Sequence, residues 1–281
     1  MTARKPDPFA FLDGTSLLRM GLTPITDQEW VEPFSKAEFD YFYQHKLSVL
    51  QQNPQALLVD DAASPALSEF YFALQQHLQR QHGNSVADCN LDFPASDGLS
   101  SEDMLKAMTL WVPDDICILQ NNGDPEYVLT AASVLSPSLW NPADKFQQPL
   151  SVIHQPIPNF DQQLMPSVSR FFHHVKAGMP VVRYNWAIQV GDRLDRVPGI
   201  EVVQEPLYYR SERQTLLRLP QSQAVAFLIR TRLCELSKLE DMSGEEGTLQ
   251  RLLEHINNLS QAERDYKGLT ALECALERYR K

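Results

Sequence analysis

The side chains best placed to do chemistry lie between Pro137 and Trp186. His154 follows Val152 and Ile153, and Pro156 and Pro158 restrict the backbone after it. A neutral imidazole held rigidly among apolar neighbours suits the axial position of a heme iron. A histidine hydrogen-bonded at a loop–sheet junction fits the same residues. His174 lies at the edge of a helical apolar stripe and is the second candidate for the iron. His173 falls opposite that stripe, toward solvent. His45, His77, His82 and His255 sit in polar helical surroundings and are expected at the surface.

Arg213 is the other residue that stands out. It lies in Tyr208-Tyr209-Arg210-Ser211-Glu212-Arg213-Gln214-Thr215-Leu216, a polar run inside a predicted strand. Alternation carries Arg213 inward with Tyr209 and Leu217. A buried guanidinium needs an anion, which is either a carboxylate of the protein or an acid group of a ligand. Arg183 and Arg210 raise the same question. Glu212, Tyr184 and Tyr209 are the carboxylate and aromatic groups available to hold an ammonium.

The elements around these residues follow from pattern. Ser35-Lys36-Ala37-Glu38 predicts a capping box opening a helix to about Asn53, and a second helix begins after Ser64-Pro65. A short helix ends at Trp111. Ile116–Gln120 and Tyr127–Leu135 read as a hairpin across Asn121-Asn122-Gly123-Asp124. A crossover follows, with one helix carrying Leu164, Val168, Phe171, Phe172 and Val175. Strands are predicted at Val181–Val190, Leu207–Leu219 and Val225–Leu233, and a second capping box at Ser260-Gln261-Ala262-Glu263. Two strands, a helical crossover and three strands predict an α+β fold. The expected architecture is a PAS-like antiparallel five-stranded sheet with a helical crossover and flanking N- and C-terminal helices. The expected division is 1–110 for an N-terminal arm and helices, 111–236 for the core and 237–281 for a C-terminal helical extension.

Composition narrows the function. The 281 residues carry 36 acidic and 25 basic side chains, a formal charge of -11, which disfavours nucleic acid and anionic membranes. No run approaches the ~20 apolar residues of a membrane span, and the N-terminus lacks a signal-like apolar stretch, so a cytoplasmic protein is expected. Cys89, Cys117, Cys234 and Cys274 form no Cys-x-x-Cys pair and are expected as buried free thiols. Glycine-rich phosphate loops, Gly-x-Ser-x-Gly and dinucleotide fingerprints are absent. Any redox role therefore borrows its electrons.

Several motifs, in order, carry a resemblance. Pro137-Ser138-Leu139-Trp140, Lys145 and Ile153-His154-x-Pro156-Ile157-Pro158 come first. Arg183-x-Asn185-Trp186, Glu212-Arg213-Gln214-Thr215-Leu216 with Arg218-Leu219-Pro220, and Phe227-Leu228-Ile229-Arg230-Thr231 follow. Together with Met20-Gly21 and Trp30, this resembles the heme-dependent oxidative N-demethylase family over roughly residues 15–236. The resemblance implies a PAS-like heme domain, of alpha-subunit type, that activates dioxygen and oxidises a small methylated amine, releasing formaldehyde. It also implies a flavin and iron–sulfur reductase partner as electron donor. It assigns His154 as the heme ligand, Arg213, Arg183, Asn185 and Trp186 as cofactor contacts, and Glu212 and Tyr184 as candidate catalytic groups. After Lys145 the family tends to have a glycine. Phe146-Gln147-Gln148 here predicts an altered backbone beside the iron site. A non-catalytic heme or small-ligand sensor of PAS type, and a heme-free interaction domain, are the competing readings.

Overall fold

The computed structural model describes residues 9, 21–121, 126–157, 165–196 and 206–280, apart from the side chain of His173. Its strands are β1 (Thr23–Pro24), β2 (Leu57–Val59), β3 (Asp115–Gln120), β4 (Val128–Ser133), β5 (Val181–Val190), β6 (Leu207–Arg218) and β7 (Val225–Glu235). The helices before the crossover are α1 (Lys36–Gln52), α2 (Ser64–Gln81), α3 (Gly83–Asp88) and α4 (Ser101–Trp111). The crossover holds α5 (Pro142–Lys145), α6 (Leu150–Ile153) and α7 (Met165–His174). After the sheet come α8 (Leu239–Ser243), α9 (Thr248–Asn258), α10 (Gln261–Tyr266) and α11 (Glu273–Leu276).

All strands join one antiparallel sheet in the order β1-β5-β6-β7-β3-β4-β2. The expected five strands form its centre. The sheet has seven, however, because β1 and β2 add to its two edges. These edge strands are two and three residues long, too short for a period-2 signal to register. Residues 122–125, which hold most of the expected hairpin turn, lie outside the described residues, as do Pro158 and Leu164.

Alternation decides what each face touches. Ile116 and Ile118 of β3 and Leu228 of β7 pack with Trp30, Phe70, Leu74, Met108 and Trp111 beneath α2 and α4. Farther along that face, Trp186, Ile188 and Tyr209 pack with Leu252, Leu253, Ile256 and Leu276 of the C-terminal helices. The opposite face presents Cys117, Leu119, Leu216 and Val225 to Leu150, Val168 and Phe172 of the crossover. Each such aliphatic or aromatic side chain contributes about 1.5–3 kcal/mol on burial.

Two expectations are corrected by what the side chains find. Ser35 caps α1 by accepting from the Glu38 amide, but the Glu38 carboxylate does not turn back. It accepts from Arg230 (3.2 Å) instead, so half of the predicted box forms. At Ser260 both halves form. His77 and His82 are buried, not at the surface, because the N-terminal segment folds over α2 and sets Trp30 against His77 at 4.9 Å. All four cysteines are free, and Cys117 is buried while Cys274 is exposed.

Candidate functional site

The site is built where the crossover meets β5 and β6. His154 is the C-cap of α6, a single turn opened by Pro149. Its backbone N–H and its ring Nδ1 both engage the Leu150 carbonyl, at 3.0 and 2.8 Å. A carbonyl only accepts, so Nδ1 carries the ring proton in the neutral form. The lone pair is then on Nε2, which is the arrangement a metal-ligating histidine adopts. Burial presses the imidazole below its ordinary range. The Leu150 carbonyl opposes this, while the charges of Arg183 and Lys145 add to it. The ring is therefore neutral at pH 7.

The other candidates fall away from this arrangement. His174 makes the same bond to the Arg170 carbonyl (2.8 Å), but it is exposed. Cys117 lies on the crossover face. Burial, with the Asp115 charge behind it, pushes its thiol far up, so it remains protonated. Among the described residues, no three His, Cys, Asp or Glu side chains converge on a bare metal ion.

Register brings four polar residues together on β5 and β6, and the charge of one of them, Arg183, reaches His154. Arg183 pairs with Gln214 and Asn185 with Glu212 across β5 and β6, all on the crossover face. Glu212 is buried and accepts from Arg210 Nε (2.9 Å), Gln214 Nε2 (3.0 Å) and Asn185 Nδ2 (3.3 Å). Burial alone would push its carboxyl up. The Arg210 charge and these bonds outweigh that and hold it below the usual carboxylate range. Arg210 is itself satisfied by Leu194 O, Ser136 O and Thr231 Oγ1. Arg183 is different. Its Nε is buried without a hydrogen-bond partner, and burial lowers its affinity for the proton against the opposing pull of Tyr266 and Glu212.

Arg213, Tyr184 and Trp186 are on the other face. Arg213 donates to the carbonyls of Glu29 and Trp30 and lies 3.9 Å from Glu32. The anion that sequence reasoning sought for it comes from the N-terminal segment. Tyr184 is paired opposite Arg213, and burial raises its phenol. Trp186 stacks toward Tyr209 and lies under Lys267, whose Nζ is 4.1 Å from the ring centroid. Sequence reasoning missed Tyr266, which ends α10, and Lys267, its C-cap, because they lie far downstream of β5 with no pattern tying them to it.

The Phe146-Gln147-Gln148 stretch keeps a glycine-like backbone. Gln147 has φ +59°, with its amide on Leu129 O and its side chain on Asp60 Oδ2 (2.6 Å). The left-handed turn persists there at a cost of about 1–2 kcal/mol. A cleft of about 320 Å³, lined by Tyr127, Phe172 and Arg218, opens at the far end of the crossover, and His154 does not line it.

One comparison with known proteins bears on this geometry. The family described as "Haem-dependent oxidative N-demethylase, alpha subunit-like" matches residues 21–276. The match runs through the C-terminal helices, beyond the stretch in which the sequence motifs lie.

Proposed function

The chain belongs to the heme-dependent oxidative N-demethylase alpha-subunit-like family, and from that premise we propose that His154 Nε2 would hold the iron of a heme. The observation that carries this reading is the Nδ1 bond to Leu150 O, which fixes the ligating tautomer on a half-buried ring. The residues present fit the group, since Arg183 offers a buried N–H with no protein acceptor, the complement of a propionate. Asn185 stands beside it. The order β4-β3-β7-β6-β5, with a helical crossover over one face, supports reading the core as a PAS-like cup.

The proposed reaction converts a methylated amine, dioxygen, two electrons and two protons to the demethylated amine, formaldehyde and water. When bound, the heme supplies the dioxygen chemistry. The chain's residues hold and orient. Leu150 O fixes the imidazole, and Arg183 and Asn185 would take polar groups of the cofactor. Glu212, kept anionic by Arg210, is the proposed contact for the amine nitrogen. Arg213, Tyr184 and Trp186 belong in this proposal to the supporting frame. Electrons come from a separate flavin and iron–sulfur reductase.

Purified protein titrated with hemin is expected to develop a Soret band that His154→Ala removes or shifts. With a surrogate reductase, dimethylamine is expected to yield formaldehyde. A protein that stays colourless with hemin overturns the heme reading. A His154-dependent band without formaldehyde, across a panel of small methylated amines, leaves a non-catalytic heme module.

A further inference from the structure

The motif Arg218-Leu219-Pro220 has no part in the site around His154. It ends β6 at the cleft of about 320 Å³ on the far side of the crossover. Arg218 and Glu212 share one face of β6, six residues and about 20 Å apart. The cleft is at the lower end of the sizes that take small molecules, about 300–1,000 Å³.

The walls of the cleft are held firmly. The Gly178 amide donates to Arg218 O at 2.9 Å. The turn from β6 to β7 is clamped by the Glu69 carboxylate of α2, which accepts from the Gln221 and Ser222 amides, both at 2.7 Å. Gln223 sits at φ +59° in that turn, and its Nε2 bonds to Pro220 O at 2.6 Å. Tyr127 and Phe172, with ring centroids 4.6 Å apart, form the apolar wall.

Within these walls one cation lacks an anion. Arg218 Nη1 donates to Val175 O at a long 3.3 Å. Its Nε is shielded from water and has no acceptor. Among the described residues no carboxylate pairs with this guanidinium. A guanidinium offers its N–H donors as a planar fork, and a carboxylate accepts two of them side by side. Nε and Nη2 are the side that Val175 leaves over. Ser222 and Gln223 add a hydroxyl and an amide to the same lining. That lining has no second cation, helix N-terminus or glycine-rich loop, the features that favour phosphate. The charge of Arg218 also turns away a methylated ammonium, so the cleft is not the amine position of the proposed reaction.

We propose that this cleft is a second ligand site, which takes a small organic monocarboxylate on Arg218 Nε and Nη2, with the rest of the molecule against Tyr127 and Phe172. The site is independent of the heme reading.

The test is titration calorimetry of the full chain with 4-hydroxybenzoate and, separately, with the uncharged 4-hydroxybenzamide. The wild-type protein is expected to bind the acid roughly tenfold or more tightly than the amide. Arg218→Met is expected to erase that preference, and Arg218→Lys to retain part of it. His154→Ala and prior saturation with hemin are expected to leave acid binding unchanged. Equal affinity of wild type for acid and amide overturns the proposal and needs no variant, as does the absence of binding by either at millimolar concentration. A folded Arg218→Met that keeps the preference overturns it, and so does displacement of the acid by hemin, which would assign the cleft to the porphyrin. Acid binding in a chain that takes up no hemin defeats the heme reading alone.

Discussion

The imidazole of His154 and the guanidinium of Arg213 stand on opposite faces of the same sheet. His154 lies with the crossover, near Arg183, while Arg213 reaches the Glu29 and Trp30 carbonyls beneath the N-terminal segment. Both were expected around one cofactor. Period-2 alternation separates them, since Glu212 and Arg213 are neighbours in β6 and must point apart. The consequences of that separation can be measured.

Arg213→Met should weaken the fold and spare the heme. It leaves the two carbonyls without their donor, while Glu32 keeps Arg232 (2.8 Å), a loss of about 1–3 kcal/mol. Urea unfolding measures the loss. Hemin affinity measured on the folded fraction should stay within twofold of wild type.

His154 and His174 make the same bond from Nδ1 to a carbonyl four residues back, yet only His154 is sheltered. Replacing His174 with alanine should leave the hemin spectrum unchanged. Replacing His154 should remove the axial signature. The reverse pattern would move the ligand to α7.

His77 makes stability depend on pH. Burial, then the nearby His82, brings its pKa down to about 4, against an unfolded value near 6.5. Asp27 pulls the other way, and Arg80 adds to the depression. Between those values the unfolded chain binds the proton and the folded chain does not. Stability is therefore full above pH 6.5 and is lost as pH falls toward 4, by up to about 3 kcal/mol. Chemical denaturation at pH 7 and pH 5 should show the fall, and His77→Phe should flatten it.

Gln147→Gly should stabilise the protein by about 1 kcal/mol, because φ +59° is strained for glutamine and free for glycine. The lost side-chain bond to Asp60 is exposed and offsets little. A rise of a few degrees in Tm is expected. A fall would mean that the Asp60 contact dominates.

The long elements were legible because their signals are local. β5 is Val181–Val190 as alternation predicts, α1 begins directly after its predicted cap Ser35, and α4 ends at Trp111 as expected. What was missed depends on distance in the chain. Glu38 abandons its capping box for Arg230, which is 192 residues away. His77 looked solvent-facing in its own helix until Trp30 covered it. Within the candidate site, the flanking residues drew attention to His154 and the strand pattern to Arg183, while Asn185 came from the family resemblance. The contribution of Lys267 hangs on a contact 81 residues from its partner, which no window of sequence contains.

The cover that Lys267 provides also bears on assembly. A ten-residue strand whose outer edge pairs with β1 only at Val181 and Val182 is a template for pairing with another chain. The ammonium on the Trp186 carbonyl places a charge where such a strand would dock. A chain cut back to Leu259 should therefore self-associate through β5.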